Sequence, residues 1–375
     1  MKVLVLSSSF GAGHNRVAHS IEKYFSKQEQ IEEINVFDVL NQTSPKLNKV
    51  IVDTYVGMLK ATPTIYEQLY KRAEKDTFIM DVGKFSNHIV SRILLKQFKE
   101  LEPDVVICTH PFALDVATIL KDKYEELDYR IYAIFTDFAP HTFWLHDKTD
   151  GYIVANEDLI PEMVTRKIER KLIHPIGIPV DLVFEEYIEK KKARENLGLK
   201  DMETILLMGG SLGLGDIVDI FKQIVAWDRN IQIIVIAGKN KRLFKKINEI
   251  DANGKEVKLF GFLDNIQEYM SASDILLTKP GGITIAEAIT KTLPIGIISP
   301  LPGQEIRNTN YLLNSGLAFM IFKEEEFNTI GILENVLNSP NRLDFMRKMA
   351  LEKRKIGSVQ KLYELILDEY KESIK

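Results

Sequence analysis

One histidine stands where a side chain has little packing reason to be. The segment Ser7-Ser-Ser-Phe-Gly-Ala-Gly-His14 follows an apolar run and puts His14 at the tip of a loop containing Gly11 and Gly13, before a helix expected from about Asn15. With an ordinary pKa near 6.5, an imidazole there can take a proton at neutral pH. Another apolar run ends in Thr136-Asp137, with His141 and Trp144 soon after. Asp137 is either a general base or a carboxylate that orients and charge-stabilises His14, and the sequence leaves that choice open. The plainer alternative is a turn aspartate beside an amphipathic Trp144. His110, in Thr109-His-Pro-Phe112, closes a third run at the same kind of position. The spacing of His110, His141 and His146 is irregular for a metal site, so they read as satisfied loop histidines.

The second half carries glycine loops in place of titratable groups. Met208-Gly-Gly-Ser-Leu-Gly-Leu-Gly215 includes Gly210 and Ser211 and suits a phosphate cradle, although no Lys-Ser or Lys-Thr follows to make it a Walker loop. In Thr278-Lys-Pro-Gly-Gly-Ile-Thr-Ile-Ala-Glu-Ala288, Gly281 and Gly282 precede a helix expected from about Thr284. Its N-terminal partial charge favours an anion by roughly 0.3–1 kcal/mol when exposed, more when buried. Glu287, expected in the first turn, either compensates that dipole or holds a ribose diol. Ser299-Pro-Leu-Pro-Gly-Gln-Glu-Ile-Arg-Asn308 offers Gln304, Glu305 and Asn308, neutral and acidic groups that suit hydroxyls better than phosphates.

These loops need a frame that brings strand ends to one edge. Six short, near-continuously apolar runs occupy the first half: Val3–Leu6, Ile34–Val39, Val105–Cys108, Ile131–Phe135, Tyr152–Ala155 and Leu172–Ile176. Six more follow: Ile205–Met208, Ile231–Ala237, Val257–Phe260, Ile275–Thr278, Ile295–Ser299 and Leu317–Phe322. Such runs, spaced by helix-length segments, predict α/β architecture with two parallel sheets covered on both faces. Ligands of such sheets bind beyond the carboxyl ends of the strands, where all of these loops fall. The expected layout is a domain over 1–175, a proline-marked and charged linker over 176–200, a second domain over 201–355, and a terminal helix over 356–375 that packs across a domain.

A chain of 375 residues, 45% of them hydrophobic, is long enough for two such cores. Its net charge of -4 and lack of a recognition motif argue against nucleic acid as a partner. The single cysteine, Cys108, excludes an intramolecular disulfide framework and fits a cytoplasmic chain. No stretch reaches the roughly 18 apolar residues of a membrane span, and the opening Met1–Ser7 run reads as a strand, too short for a signal-peptide core. A dehydrogenase fingerprint would need a small residue where Arg16 stands, although Asp38 after the second run keeps that reading in view.

Together, Gly-Ala-Gly-His14, Thr136-Asp-Phe-Ala-Pro-His-Thr-Phe-Trp144, the Lys279-to-Ala288 block and Pro302-Gly-Gln-Glu305 resemble the diacylglycerol glycosyltransferases. That family includes bacterial processive diacylglycerol glucosyltransferases and plastid monogalactosyldiacylglycerol synthases, distant relatives of the glucosaminyltransferase that makes lipid II. The resemblance implies a GT-B fold, with two Rossmann-like domains facing a cleft. It also implies inverting, metal-independent transfer from a UDP-sugar with no cofactor. His14 would act in catalysis and Glu287 would hold the uridine ribose. Gly210, Ser211, Gly282 and Thr284 would line the donor diphosphate, Gly13 would also bind the donor, Phe262 would line the uracil, and Gln304 and Glu305 the sugar; His110, His141 and Trp144 fall on the acceptor side. The chain contains no Asp-x-Asp pair of the kind that holds a nucleotide diphosphate through a divalent ion.

A lipid acceptor raises the question of membrane contact. Residues 46–75 carry six basic side chains against three acidic ones, interleaved with Tyr55, Met58, Leu59, Ile65, Tyr66 and Tyr70. Such a segment suits a membrane interface, and its plainer reading is a helical insertion covering the first domain. The expectation is a peripheral enzyme at the inner face of the membrane, moving glucose or galactose to diacylglycerol or a glycosyldiacylglycerol. The alternatives are a UDP-sugar 2-epimerase of the same fold and a non-catalytic UDP-sugar or lipid-binding protein.

Overall fold

The computed structural model describes residues 1–9, 12–42, 90–209, 216–322 and 329–373. Gly210, Ser211 and the basic segment 46–75 therefore lie outside the described residues. The chain forms two compact units, one of Met1–Leu182, Pro302–Gln304 and Lys355–Lys375, the other of Val183–Leu301 and Glu305–Arg354.

The first unit is built on strands β1 (Lys2–Ser7), β2 (Glu33–Asp38), β3 (Val105–Cys108), β4 (Arg130–Ile134), β5 (Gly151–Ile153) and β6 (Ile173–His174). They lie in the order β2-β1-β3-β4-β5-β6 and pair in parallel throughout. Every residue of β3 is buried, as expected of a strand with both faces covered. Helix α1 (Ala12–Phe25) buries Val17, Ala18, Ile21 and Phe25, a spacing that gives it one apolar face for the sheet. Helix α2 (Pro111–Lys123) follows β3, with proline at its first position, where no intrahelical N–H is needed.

The second unit repeats the plan with β7 (Thr204–Met208), β8 (Gln232–Ile236), β9 (Glu256–Phe260), β10 (Ile275–Thr278), β11 (Ile295–Ile297) and β12 (Ala318–Met320). Their order is β12-β11-β10-β7-β8-β9, again all parallel. Leu207, Val235, Leu277 and Phe319 from this sheet share a core with Phe221 and Ile224 of helix α3 (Ile217–Ala226). Helices α4 (Gly282–Thr290) and α5 (Gln304–Asn314) follow β10 and β11.

All twelve apolar runs are strands, so the α/β class with two Rossmann-like parallel sheets stands. One detail differs from the sequence expectation. The run Leu172–Ile176 yields only the two-residue strand β6, which lies at the sheet edge with one partner. The helix expected over 356–375 is α7 (Ser358–Ser373), which follows α6 (Pro340–Lys353) after the extended Arg354 and after Gly357 at a φ of 69°. Helix α7 belongs to the first unit, where Tyr363 donates to Gln30 at 2.6 Å and Glu369 accepts from Tyr132 at 2.6 Å and Arg130 at 3.1 Å.

Strand order reverses direction between β1 and β3 in one sheet and between β7 and β10 in the other. Those switch points open the crevices where parallel sheets bind ligands. The His14 and His110 loops leave β1 and β3; the Gly209 and Gly281 loops leave β7 and β10.

Candidate active site

In the first unit the glycine loop is shorter than the sequence suggested. Helix α1 starts at Ala12, so Gly13 and His14 belong to its first turn and His14 is not at a loop tip. The entry to α1 is tied down by hydrogen bonds at the end of the sheet. Ser7 donates to Asn15, and Asn15 Nδ2 donates to Asp38 Oδ2 at 3.2 Å. Asp38 Oδ2 also accepts from Ser9, while its Oδ1 takes the Leu40 N–H at 3.1 Å. The carboxylate that kept a dinucleotide reading in view thus shapes the first loop.

His14 is fixed at one ring nitrogen. Its Nδ1 lies 2.8 Å from the Thr109 carbonyl oxygen and 3.1 Å from the Thr136 hydroxyl. A carbonyl can only accept, so the ring proton sits on Nδ1 and the lone pair is on Nε2. Burial lowers the pKa of His14 to about 4, against the Thr109 hydrogen bond, which raises it. At neutral pH the ring is therefore an uncharged acceptor. Thr109 follows the β3 run and Thr136 the β4 run, and α1 follows β1, so segments after three adjacent strands converge on one imidazole.

His110 meets His14 edge to face, with ring centroids 4.5 Å apart. It also caps α2, accepting the Phe112 N–H on Nδ1 at 3.0 Å. Burial and the neighbouring His14 hold its pKa well below the usual value. His141 does the same for the single turn Thr142–Trp144, accepting from Phe143 N at 3.2 Å, and is 2% exposed. Trp144 is a core side chain, its ring stacked on Phe135 at 5.0 Å and 1% exposed. Asp137 follows Thr136 and is partly buried. His146 pairs with Asp115 at 3.1 Å, and among the described residues no cluster of three or more histidine, cysteine, aspartate or glutamate side chains could hold a metal ion.

The second unit presents a helix start with open space before it. Helix α4 begins at Gly282, two residues earlier than expected, so Glu287 lies in the second turn, where it is 2% exposed. Gly281 has a φ of −70°, which any residue tolerates, and a Cβ there would meet nothing within 4 Å. Neither packing nor backbone calls for glycine, and its effect is to leave the helix N-terminus unshielded. Gly282 is buried and Thr284 partly exposed in that turn.

Around this turn the structure pairs residues that the sequence left unpaired, and brings in Lys279 and Asp216, which it had not singled out. Lys279, 7% exposed, places Nζ 3.2 Å from Glu305 Oε2, and the same oxygen accepts the Leu301 N–H at 2.6 Å. Burial lowers the lysine's pKa, while Glu305 raises it. Asn308, fully buried, donates to the Pro280 carbonyl at 2.9 Å. Ser299 and Asp216 exchange two hydrogen bonds, at 2.9 and 3.2 Å, joining the end of the β11 run to the start of α3. Gln304 opens α5, and Phe262 stands 55% exposed after β9 with Lys239 Nζ 5.4 Å from its ring centroid. The sequence signal for these braces was that Thr109 and Lys279 immediately follow strands and Thr136 comes two residues after one.

Known proteins share both halves. A family model for monogalactosyldiacylglycerol (MGDG) synthase matches residues 14–180, and one for the glycosyltransferase family 28 C-terminal domain matches residues 204–362. The processive diacylglycerol beta-glucosyltransferase of Bacillus mycoides (strain KBAB4) is 30% identical over 329 residues, or 87% of this chain and 83% of that protein. Among solved structures, MurG of Acinetobacter baumannii aligns with a TM-score of 0.58 and 13% identity over 98% of this chain and 99% of that one. A UDP-GlcNAc 2-epimerase from Neisseria meningitidis, bound to UDP-GlcNAc, aligns at 0.61 and 14% over 98% and 100%. At such identities the two structures establish the shared fold only. The sequence match, by contrast, runs through both motif-bearing halves. The chain belongs to the diacylglycerol glycosyltransferase family and is a glycosyltransferase with the Rossmann-like units of the GT-B fold.

Proposed function

We propose that the protein transfers a hexose, glucose or galactose, from a UDP-sugar to diacylglycerol or a glycosyldiacylglycerol, with inversion, without a metal ion, at the inner surface of the membrane. The observation that carries the reading is the anchoring of His14, whose protonated Nδ1 faces Thr109 and Thr136 and whose Nε2 bears the lone pair. In the proposed reaction Nε2 takes the proton of the acceptor hydroxyl as its oxygen attacks the anomeric carbon. The new carbon–oxygen bond forms on the face opposite the departing UDP, which inverts the centre. The bond between the anomeric carbon and the β-phosphate oxygen breaks, and UDP leaves with both electrons.

That departing charge needs donors fixed in place. The open N-terminus of α4, at Gly282 and Thr284, supplies them in this reading, helped by Gly210 and Ser211. A divalent ion then has no required role. Glu287 holds the ribose, Phe262 lies against uracil, and Gln304 and Glu305 read the sugar. His110, whose ring meets that of His14, lies on the acceptor side with His141 in this reading, and Asp137, next to Thr136, is either the alternative base or the carboxylate that orients His14. Membrane contact is assigned to residues 46–75 on their charge pattern, with the first unit as the acceptor half and the second as the donor half.

The test is to incubate purified protein with diacylglycerol vesicles and a panel of UDP-sugars, and to measure glycolipid and UDP by mass spectrometry. Glycolipid and UDP in equal amounts from wild type, and neither from His14→Ala, are expected. Failure of wild type to form glycolipid with any donor overturns the proposal, and an epimerised UDP-sugar in its place would favour the epimerase reading.

A further inference from the structure

The two donor-side loops of the second unit are bolted to each other. Lys279 directly follows β10 and reaches Glu305 in the first turn of α5, where Glu305 Oε2 accepts both its ammonium, at 3.2 Å, and the Leu301 N–H, at 2.6 Å. Nearby, buried Asn308 of α5 donates to the Pro280 carbonyl. Both side chains of the ion pair are largely shielded, Lys279 at 8% and Glu305 at 20% exposure. A shielded lysine costs desolvation, so in a chain with ample apolar residues an ion pair here calls for a reason beyond stability.

We infer that Lys279 is a positioning residue that acts through Glu305. It holds Glu305 and the following turn of α5 at a set distance from the Gly281–Gly282 turn, so that a sugar and its diphosphate are gripped in register. This rests on the donor reading above, in which the Gly282 turn meets the diphosphate and Glu305 meets the sugar. A lysine that touched the phosphates itself would affect UDP and UDP-sugar alike. A lysine that served only the fold would do the same. One that sets Glu305 affects the sugar-bearing ligand selectively.

The experiment measures dissociation constants for UDP and for the preferred UDP-sugar by titration calorimetry, with kcat and KM beside them. The proteins are wild type, Lys279→Met, Lys279→Arg, Glu305→Gln and the double variant Lys279→Met/Glu305→Gln. Lys279→Met should weaken UDP-sugar by about tenfold or more and UDP by less than about threefold. Lys279→Arg should recover most of the loss. The double variant should be no worse than the poorer single one, as expected of two residues acting as one unit. Equal weakening of UDP and UDP-sugar, additive losses, or wild-type behaviour of Lys279→Met overturns the inference while leaving the donor reading intact. Wild-type protein that binds no UDP overturns both. If Lys279→Met does not fold by circular dichroism, Lys279→Gln carries the same comparisons.

Discussion

The Thr109 carbonyl oxygen lies 2.8 Å from Nδ1 of His14, across 95 residues of chain. That single contact fixes the tautomer of the imidazole and therefore which nitrogen is left to take a proton in the proposed reaction. Since the partner is a backbone atom at a strand end, no side-chain substitution at 109 removes it directly.

Replacing His14 is the first consequence. His14→Ala should lower kcat by about 10²–10⁴ while the far-ultraviolet circular dichroism stays unchanged, since a positioned base contributes that range. Retained kcat would mean that another group, with Asp137 the first candidate, takes the proton.

The Thr136 hydroxyl is the removable partner of the same ring. Thr136→Val, close in volume, should cost roughly 0.5–1.5 kcal/mol of transition-state stabilisation, about two- to tenfold in kcat, with little change in donor KM. Steady-state kinetics on both substrates would show it.

The acid side of the pH profile follows from burial. The His14 pKa is lowered from 6.5 to about 4, so the neutral, proton-accepting form persists as pH falls through 6 and 5. Donor turnover should accordingly hold until pH approaches about 4. Stability runs the other way: below pH 6.5 the unfolded chain binds a proton that the folded one refuses, so His14 and the similarly lowered His110 make the protein progressively less stable as pH falls from 6.5. Rate and melting temperature measured together between pH 4 and 8 would separate the two limbs. A rate that drops by half near pH 6.5 would contradict a buried neutral base.

Removing divalent ions should leave the rate unchanged. Activity assayed with excess chelator, against assays with added magnesium or manganese, would contradict the proposed charge stabilisation by α4 if chelation abolished turnover.

Asn308 offers a stability test within the second unit. Fully buried and donating to the Pro280 carbonyl, it should cost roughly 1–3 kcal/mol when changed to leucine, because that carbonyl loses its donor. Denaturant unfolding monitored by tryptophan fluorescence would measure the loss.

The sequence by itself determined the frame and the edge that carries the candidate site. Continuous apolar runs such as Val105–Cys108 and Ile275–Thr278 can satisfy only strands buried on both faces, so both sheets were legible, and with them the strand ends that carry His14, His110 and Gly281. Local patterns also identified the glycine-bearing helix starts, though not their first residues. At α1 that start goes with bonds made by distant residues, Ser7 and Asp38 on Asn15, whereas α4 starts at Gly282 with no side-chain cap. What only the tertiary structure decided was partnership: Thr109 and Thr136 on His14, Asp38 on Asn15, Lys279 on Glu305, and the burial of Trp144 against Phe135. The physical reason is that a tautomer or a pKa is set by the atoms within a few ångströms of a group. In a doubly wound sheet those atoms come from strands far apart in sequence, and strand order is not written in any local pattern.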